Sequence, residues 1–128
     1  MNITYKQFTP EYIDVVLQLQ HTWVYENITY GAVNETKEDM LSYDNNFFYI
    51  ALGDEKIVGY IIAEVISHNE YNLFPRDSDY LQINDLYIKK EYRNDKIGEK
   101  LLSLIEKKAY QNGLKNILIS SATKDADA

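Results

Sequence analysis

The segment from residue 86 to residue 108, "LYIKKEYRNDKIGEKLLSLIEKK", contains residue types whose spacing suits binding chemistry. It starts as an apolar strand, passes through the turn Arg93-Asn94-Asp95-Lys96-Ile97-Gly98 and continues as an amphipathic helix. The first N–H groups of a helix lack partners within the helix and carry about half a positive charge, so this junction could hold an anion. Arg93 and Lys96 add positive charge, and Gly98 lets a ligand approach the backbone. An ordinary solvated turn is the alternative for so short a motif.

Two carboxylates on predicted strands are candidates for proton transfer. Strict alternation along "YLQINDLYI" would place Asn84 and Asp85 on opposite faces of a sheet. The face of Asp85 would then also carry Leu81, Ile83 and Tyr87. Glu64, in "IIAEVIS", is a lone carboxylate on another apolar strand. Asp85 could also order its strand or bind a cation, and Glu64 could point outward into water.

Composition limits the classes of function. At 128 residues the chain is expected to form a single domain, residues 1–128. Its net charge of -7 argues against nucleic acid or an anionic membrane as a partner and slightly favours cationic ligands. The absence of cysteine excludes disulfides and thiolate chemistry. No apolar signal region is seen at the N-terminus, so a cytoplasmic location is expected.

Histidine offers little support for a metal or catalytic site. His21 and His68 are isolated and are interpreted as surface or capping residues. No carboxylate cluster at suitable spacing accompanies them, so no metal is predicted.

Hydrophobic periodicity predicts the elements of the first half of the chain. An alternating segment at the N-terminus predicts a strand. Thr9-Pro10 predicts the start of a helix of three to four turns, with the threonine hydroxyl as cap. A shorter helix is expected from Thr36, with Asp39 completing a capping box.

The second half is predicted to be mainly strands. Two β-rich segments around Gly53-Asp54-Glu55 predict an antiparallel hairpin. The segment "HNEYNLFPRDSD" predicts a surface loop before the strand that carries Asp85. A helix from Ile97 to Asn112, ended by Gly113, is followed by the strand "KNILISS". The order β-α-α-β-β-β-α-β predicts an α/β fold with a mixed, mainly antiparallel sheet.

The order of elements and the turn together resemble the GNAT superfamily of acyl-CoA-dependent N-acyltransferases. The family pattern at the junction is Arg/Gln-x-x-Gly-x-Gly/Ala, and this chain has Arg93-Asn94-Asp95-Lys96-Ile97-Gly98. The resemblance implies acetyl-CoA as co-substrate and an amine as acceptor. It also implies that the backbone from Asn94 to Glu99 holds the pyrophosphate of CoA.

The resemblance assigns further residues to the site. The strand Leu86, Tyr87 and Ile88 would offer backbone groups to the pantetheine arm and the thioester carbonyl, where a fixed N–H stabilises an oxyanion. Tyr25 and Tyr30 lie in or near the loop that lines the acceptor pocket in the family. Asp85 matches an aspartate often found in relatives, and both Asp85 and Glu64 are the candidates for the catalytic carboxylate.

Three features of the chain depart from the family pattern. Lys96 replaces the first glycine, where a positive φ would be costly. Asn84 stands where many relatives have a glutamate base, and an amide cannot accept that proton. After "SATKDADA" no helix with the usual tyrosine acid and no last two strands follow. The sequence is therefore either a fragment or a naturally shortened protein. If it is the shortened protein, we expect its last strand to have an exposed edge and to form a homodimer through it.

Three functions are compatible with these residues. The first is an N-acetyltransferase that moves the acetyl group of acetyl-CoA directly to a primary amine of a small cationic molecule or a protein. The second is a CoA-binding or sensing module without catalysis, which Asn84 and the missing tyrosine favour. The third is a structural interaction domain whose turn binds nothing.

Overall fold

The computed structural model describes residues 2–29, 32–67, 79–93 and 95–119. Its helices and strands follow the predicted order β-α-α-β-β-β-α-β, which is therefore confirmed. They are β1 (Ile3–Gln7), α1 (Ile13–Glu26), α2 (Lys37–Leu41), β2 (Phe48–Gly53), β3 (Lys56–Ile66), β4 (Tyr80–Ile88), α3 (Ile97–Gln111) and β5 (Ile117–Ile119). The predicted loop "HNEYNLFPRDSD", which begins with His68, lies outside the described residues except for its last aspartate.

The strands form one sheet in the order β1-β2-β3-β4-β5. The first three pairings are antiparallel, while β5 runs parallel to β4 because α3 carries the chain across between them. The hairpin between β2 and β3 turns at Asp54 and Glu55, whose φ values of 52° and 68° match the two-residue turn that fits the twist of paired strands. The predicted mixed, mainly antiparallel sheet is thus confirmed.

Apolar side chains on the two faces of the sheet form two cores. The face toward α1 and α2 and the face toward α3 each carry a cluster of buried apolar side chains. Each fully buried aliphatic side chain stabilises the fold by about 1.5–3 kcal/mol. The first core includes Val16, Leu19, Met40, Phe48, Tyr60, Ile62 and Tyr87. The second core includes Val58, Ile61, Leu81, Ile83, Ile97, Leu101 and Ile105.

The helix ends follow local chemistry, with one correction. Thr36 accepts from the N–H of Asp39 at 3.1 Å and its own N–H donates to the Asp39 carboxylate at 3.3 Å, which confirms the capping box. Gly113 ends α3 with a φ of 78°, as predicted. Thr9 makes no cap to the helix: its hydroxyl donates to Glu11, and a short 3-10 turn precedes α1.

A β-bulge in β4 overturns the predicted faces of Asn84 and Asp85. Ile62 of β3 pairs with Asp85, but the next residue, Ala63, pairs with Ile83, so Asn84 is an extra residue. The bulge turns Asp85 toward α1 and α2, on the same face as Tyr87 and opposite Leu81 and Ile83.

The side chain of Asn84 was predicted to lie on the face opposite Asp85, and this prediction is also wrong. Its amide reaches Glu64 on β3, which lies two residues after Ile62 and shares the face toward α1 and α2. The alternation used for the prediction fails because one inserted residue shifts the two-residue period.

Candidate functional site

The turn between β4 and α3 leads into the first backbone amides of a helix, where an anion could bind. The first hydrogen bond within α3 joins the N–H of Lys100 to the carbonyl of Lys96 at 3.1 Å. The N–H groups of Ile97, Gly98 and Glu99 therefore precede any carbonyl acceptor in the helix. Asp95 and Lys96 are exposed at this end, whereas Asn94 lies outside the described residues.

Lys96 adopts the conformation that the sequence identified as costly. Its φ of 62° and ψ of 20° lie in the left-handed region, directly before the first residue of α3. An L-residue in this region is destabilised by about 1–2 kcal/mol. The side chain of Lys96 makes no cap to the helix, so the strained conformation leaves the first-turn amides uncovered by that residue.

Gly98 stands open beside these amides. A methyl group built on its Cα would come no closer than 3.9 Å to the side chain of Ile88, which is an ordinary van der Waals distance. The packing of the described residues therefore does not demand a glycine at this position. The open space lets a ligand lie against the first turn of α3.

The end of β4 lies next to this helix. Leu86, Tyr87 and Ile88 pair with β3 on one side, and in the described part of the chain β5 pairs only with Leu81 to Ile83. The side chain of Leu86 is 36% exposed. The backbone predicted to contact the pantetheine arm thus adjoins the predicted phosphate site.

The guanidinium of Arg93 is directed back into the protein. Its Nη2 lies 2.7 Å from the Glu26 carboxylate, and its Nε donates to the Ile88 carbonyl at 2.9 Å. The group also lies 5.4 Å from the centre of the Tyr87 ring. Its charge is thus paired with Glu26, which the sequence analysis missed because the two residues are 67 positions apart.

A buried acidic group lies on the face of β4 that points toward α1 and α2. Asp85 is only 9% exposed and accepts a hydrogen bond from the Tyr60 hydroxyl at 3.2 Å. Burial, and then the negative charge of Glu35, raise the pKa of Asp85 from 3.8 to about 7, against the opposing effect of the Tyr60 hydrogen bond. Burial and Asp85 likewise raise the pKa of Tyr60 far above its ordinary value.

Glu35 is held near Asp85 by the buried amide of Gln20. Gln20 donates to the carbonyl of Val33 at 2.8 Å and accepts from the N–H of Glu35 at 3.0 Å. His21 contacts the Glu35 carbonyl at 2.8 Å. Burial raises the pKa of the Glu35 carboxyl, while a hydrogen bond from Tyr43 lowers it. Glu35 and Gln20 were not predicted from the sequence, although Gln20 is a polar residue within the apolar stripe of α1.

Glu64 takes part in a polar row beside Asp85. It is partly buried and accepts from the Asn84 amide at 2.8 Å, and the Gln82 amide donates to the Asn84 oxygen at 2.8 Å. The bulge therefore brings both predicted carboxylates, Asp85 and Glu64, to the same face of the sheet. Asn84 orients Glu64 there.

Of the two tyrosines predicted near the acceptor, Tyr25 falls within the described residues and is not brought to this row. Tyr25 is 89% exposed and lines a surface groove on α1 with Asp14, Leu17, Gln18, His21 and Thr22. Tyr30 lies outside the described residues. Within the described ranges no group of three or more acidic or histidine side chains is arranged to bind a metal ion. No helix in those ranges has the length and hydrophobicity to cross a membrane.

Comparison with known proteins identifies the family. Residues 9–128 match the acetyltransferase (GNAT) family. Because the match covers most of the chain, the protein belongs to this family, whose members use acetyl-CoA as co-substrate. The family resemblance stated from the turn motif is thus confirmed. Among curated proteins, no relative matches the sequence.

Solved structures share the fold at low identity. A transcriptional regulator from Bacillus halodurans has a TM-score of 0.76 at 16% identity, over 99% of this chain and 87% of that one. A GCN5-related N-acetyltransferase from Ralstonia eutropha has a TM-score of 0.70 at 15% identity, over 94% and 84%. An aminoglycoside acetyltransferase from an uncultured soil metagenomic sample has a TM-score of 0.69 at 18% identity, over 93% of this chain and 77% of that one. At these identities the similarity shows the fold alone.

Substitution of Lys96 by glycine should stabilise the protein. We expect a gain of about 0.5–1 kcal/mol, because glycine removes the left-handed strain but adds some backbone entropy to the unfolded chain. Urea denaturation measures the difference. Lys100→Gly, within α3, is the matched control and should cost about 1 kcal/mol. A loss of stability in Lys96→Gly would contradict a left-handed conformation at this position.

The raised pKa of Asp85 predicts a pH dependence of stability. Below pH 3.8 the carboxyl is protonated in both states, and between 3.8 and about 7 the folded state retains the proton that the unfolded state has lost. The free energy of unfolding should therefore fall as the pH rises through this range, by up to about 1.4 kcal/mol per unit for each such proton.

Denaturation at a series of pH values tests this dependence. Asp85→Asn should flatten the slope, leaving the part of the same sign that comes from Glu35. The exposed turn variant Asp54→Asn is the control and should keep the wild-type slope. Equal slopes in wild type and Asp85→Asn would show that Asp85 titrates normally.

Proposed function

We propose that this chain transfers the acetyl group of acetyl-CoA directly to a primary amine. The observation that carries the proposal is the first turn of α3: among the described residues, the N–H groups of Ile97, Gly98 and Glu99 precede the first hydrogen bond of the helix, next to Gly98 and beside the end of β4. This arrangement fits a pyrophosphate on the helix and an extended arm along the strand. We also propose that residues 1–128 form a single domain, since the family match and both cores involve one sheet.

Each predicted cofactor residue has a proposed role. The backbone from Asn94 to Glu99, including Asp95 and Ile97, would surround the pyrophosphate, and the exposed ammonium of Lys96 would add positive charge. Leu86, Tyr87 and Ile88 would orient the thioester, and a backbone N–H of this strand would stabilise negative charge on its carbonyl oxygen. Arg93 would hold the turn in place and would not contact the phosphates directly, because its own charge is paired with Glu26.

Asp85 is the proposed proton acceptor. The amine nitrogen attacks the thioester carbon, the C–S bond breaks, and the amine must release a proton while the departing sulfur gains one. A carboxylate whose pKa is raised to about 7 suits a base near neutral pH. Glu64 lies in the adjacent polar row and is the second candidate. The side chain of Asn84 is an amide and cannot accept the proton, so its proposed role is to orient Glu64 through their hydrogen bond.

A cationic acceptor is the substrate class that the charges favour. Glu35, Glu64 and Asp85 all lie on the face toward α1 and α2, and the whole chain carries a net charge of -7. Opposite charge attracts and orients a protonated amine as it enters. A small cationic molecule or a protein lysine would fit.

Self-association through the edge of β5 belongs to the same proposal, and equilibrium sedimentation measures it.

Calorimetric titration with acetyl-CoA tests the cofactor site. We expect micromolar binding, which is about 8 kcal/mol. Gly98→Trp should weaken binding at least about 100-fold by filling the space over the amides, while Lys107→Trp, an exposed position on the same helix, should bind normally. A folded wild-type chain that does not bind acetyl-CoA, or equal binding by Gly98→Trp, would overturn the proposed site.

Turnover distinguishes an enzyme from a binding module. A panel of primary amines, with the acetylated product detected by mass spectrometry, should give product with at least one cationic amine. Asp85→Asn should bind acetyl-CoA normally and lose about 10²-fold or more in kcat, the usual contribution of a general base. Binding without product from any amine would favour the sensing module, and an unchanged kcat in Asp85→Asn would remove that residue as the base.

A further inference from the structure

Glu26, the last residue of α1, contacts both parts of the proposed acetyl-CoA site from behind. One carboxylate oxygen accepts a hydrogen bond from the hydroxyl of Tyr87, on the strand. The other forms an ion pair with Arg93 at 2.7 Å, on the turn that leads into α3. The side chains of Glu26 and Arg93 are only 19% and 26% exposed, so solvent screens this pair less than a typical surface pair.

Arg93 transmits this contact to the backbone of the turn. While Nη2 binds Glu26, Nε donates to the carbonyl of Ile88, the last residue of β4. The planar guanidinium holds the two acceptors in a fixed relation, which a flexible ammonium would not do. The turn is therefore fastened to β4 at one end and to α1 through Glu26.

Tyr87 is fixed by a second set of contacts from α1. Its ring stacks on Trp23, with centroids 5.7 Å apart and an angle of 20° between the planes. The indole N–H of Trp23 in turn donates to the hydroxyl of Thr29 at 2.9 Å. The C-terminal end of α1 thus forms a rigid support against which the strand and the turn are both held.

We propose that Glu26 is a positioning residue for acetyl-CoA, which sets the geometry of the β4–α3 turn by holding Arg93 and Tyr87. The inference rests on the proposed function and extends it to a residue outside the binding motif. Glu26 neutralises the guanidinium, so the attraction for the phosphates comes from the α3 amides and Lys96. The role of Glu26 is to keep those amides and the end of β4 in register with each other.

Binding of acetyl-CoA to Glu26→Gln is the first test. Glutamine preserves size and can still accept from Tyr87 but cannot neutralise Arg93, so we expect about a tenfold rise in Kd, which is 1.4 kcal/mol. Glu38→Gln, an exposed residue of α2 with the same charge change, is the control and should bind like wild type. Arg93→Lys keeps the charge but loses the planar guanidinium that binds two acceptors at once, and this variant should also bind acetyl-CoA more weakly.

A double variant shows whether Glu26 acts through Arg93. If it does, Glu26→Gln should add no further loss of affinity in an Arg93→Gln background, because the coupling is already removed. A merely stabilising residue would instead lower the melting temperature without this pattern. Additive losses would overturn the proposed route through Arg93. If Glu26→Gln folds poorly, Glu26→Asp retains the charge and should give an intermediate affinity.

Amide hydrogen exchange in the ligand-free protein supplies a readout that does not depend on acetyl-CoA. The N–H of Lys89 binds the Val58 carbonyl at 2.8 Å and that of Lys100 binds Lys96, so these two protected amides flank the turn. Both should exchange faster in Glu26→Gln than in wild type or Glu38→Gln.

The outcomes separate the two proposals. Wild-type exchange and wild-type affinity in Glu26→Gln would overturn the positioning role and leave the proposed function standing. Failure of the wild-type chain to bind acetyl-CoA would overturn the proposed function and, with it, the functional part of the positioning role. Faster exchange together with weaker binding supports both.

Discussion

The extra residue at the middle of β4 determines what that strand presents to each side of the sheet. Before the bulge, Leu81 and Ile83 pack toward α3. After it, Asp85 and Tyr87 face α1 and α2. An uninterrupted strand would direct Asp85 into the apolar core around Leu101, where an unpaired carboxylate is costly. The bulge lets one strand complete the α3 core and still supply a titratable group to the other face.

The helix that follows the bulged strand has two functions. One side of α3 buries Ile97, Leu101 and Ile105 against the sheet, which fixes its direction. That direction sets where its first amides point. The left-handed Lys96 turns the chain sharply into the helix at a local cost. Packing on one side of α3 thus determines the geometry of the proposed anion site at its end.

The acidic character of the protein does not conflict with an anionic cofactor. Charges farther than about 8–10 Å are largely screened at physiological salt, while helix amides act at contact distance. Within the described residues, the guanidinium of Arg93 near the turn is neutralised by Glu26, so the proposed phosphate site uses backbone groups and Lys96. Glu35, Glu64 and Asp85 lie instead on the face where we propose that a cationic acceptor enters. The two proposed ligands would therefore meet different local fields.

Local patterns in the sequence predicted most of the fold. The element order, the Thr36 capping box, the hairpin at Asp54-Glu55 and the end of α3 at Gly113 all depend on neighbouring residues, and all were found. The bulge was missed because a strict two-residue alternation was assumed, although adjacent Asn84 and Asp85 interrupt the apolar strand.

The parts of the site that were missed depend on tertiary contacts. The pair Glu26–Arg93 spans 67 positions, and no local pattern connects its members. The hydrogen bond from the N–H of Glu35 to the side chain of Gln20 joins residues that are 15 positions apart. The turn motif indicated where an anion could bind, whereas the orientation of Arg93 toward α1 could be seen only in the structure.

The most direct test of the account is an NMR titration of the backbone amides with acetyl-CoA. The account predicts that the largest shift changes cluster at Ile97, Gly98 and Glu99 and along Leu86, Tyr87 and Ile88. Small changes at these six amides, with the largest ones elsewhere, such as the groove around Tyr25, would contradict a cofactor site at the β4–α3 junction.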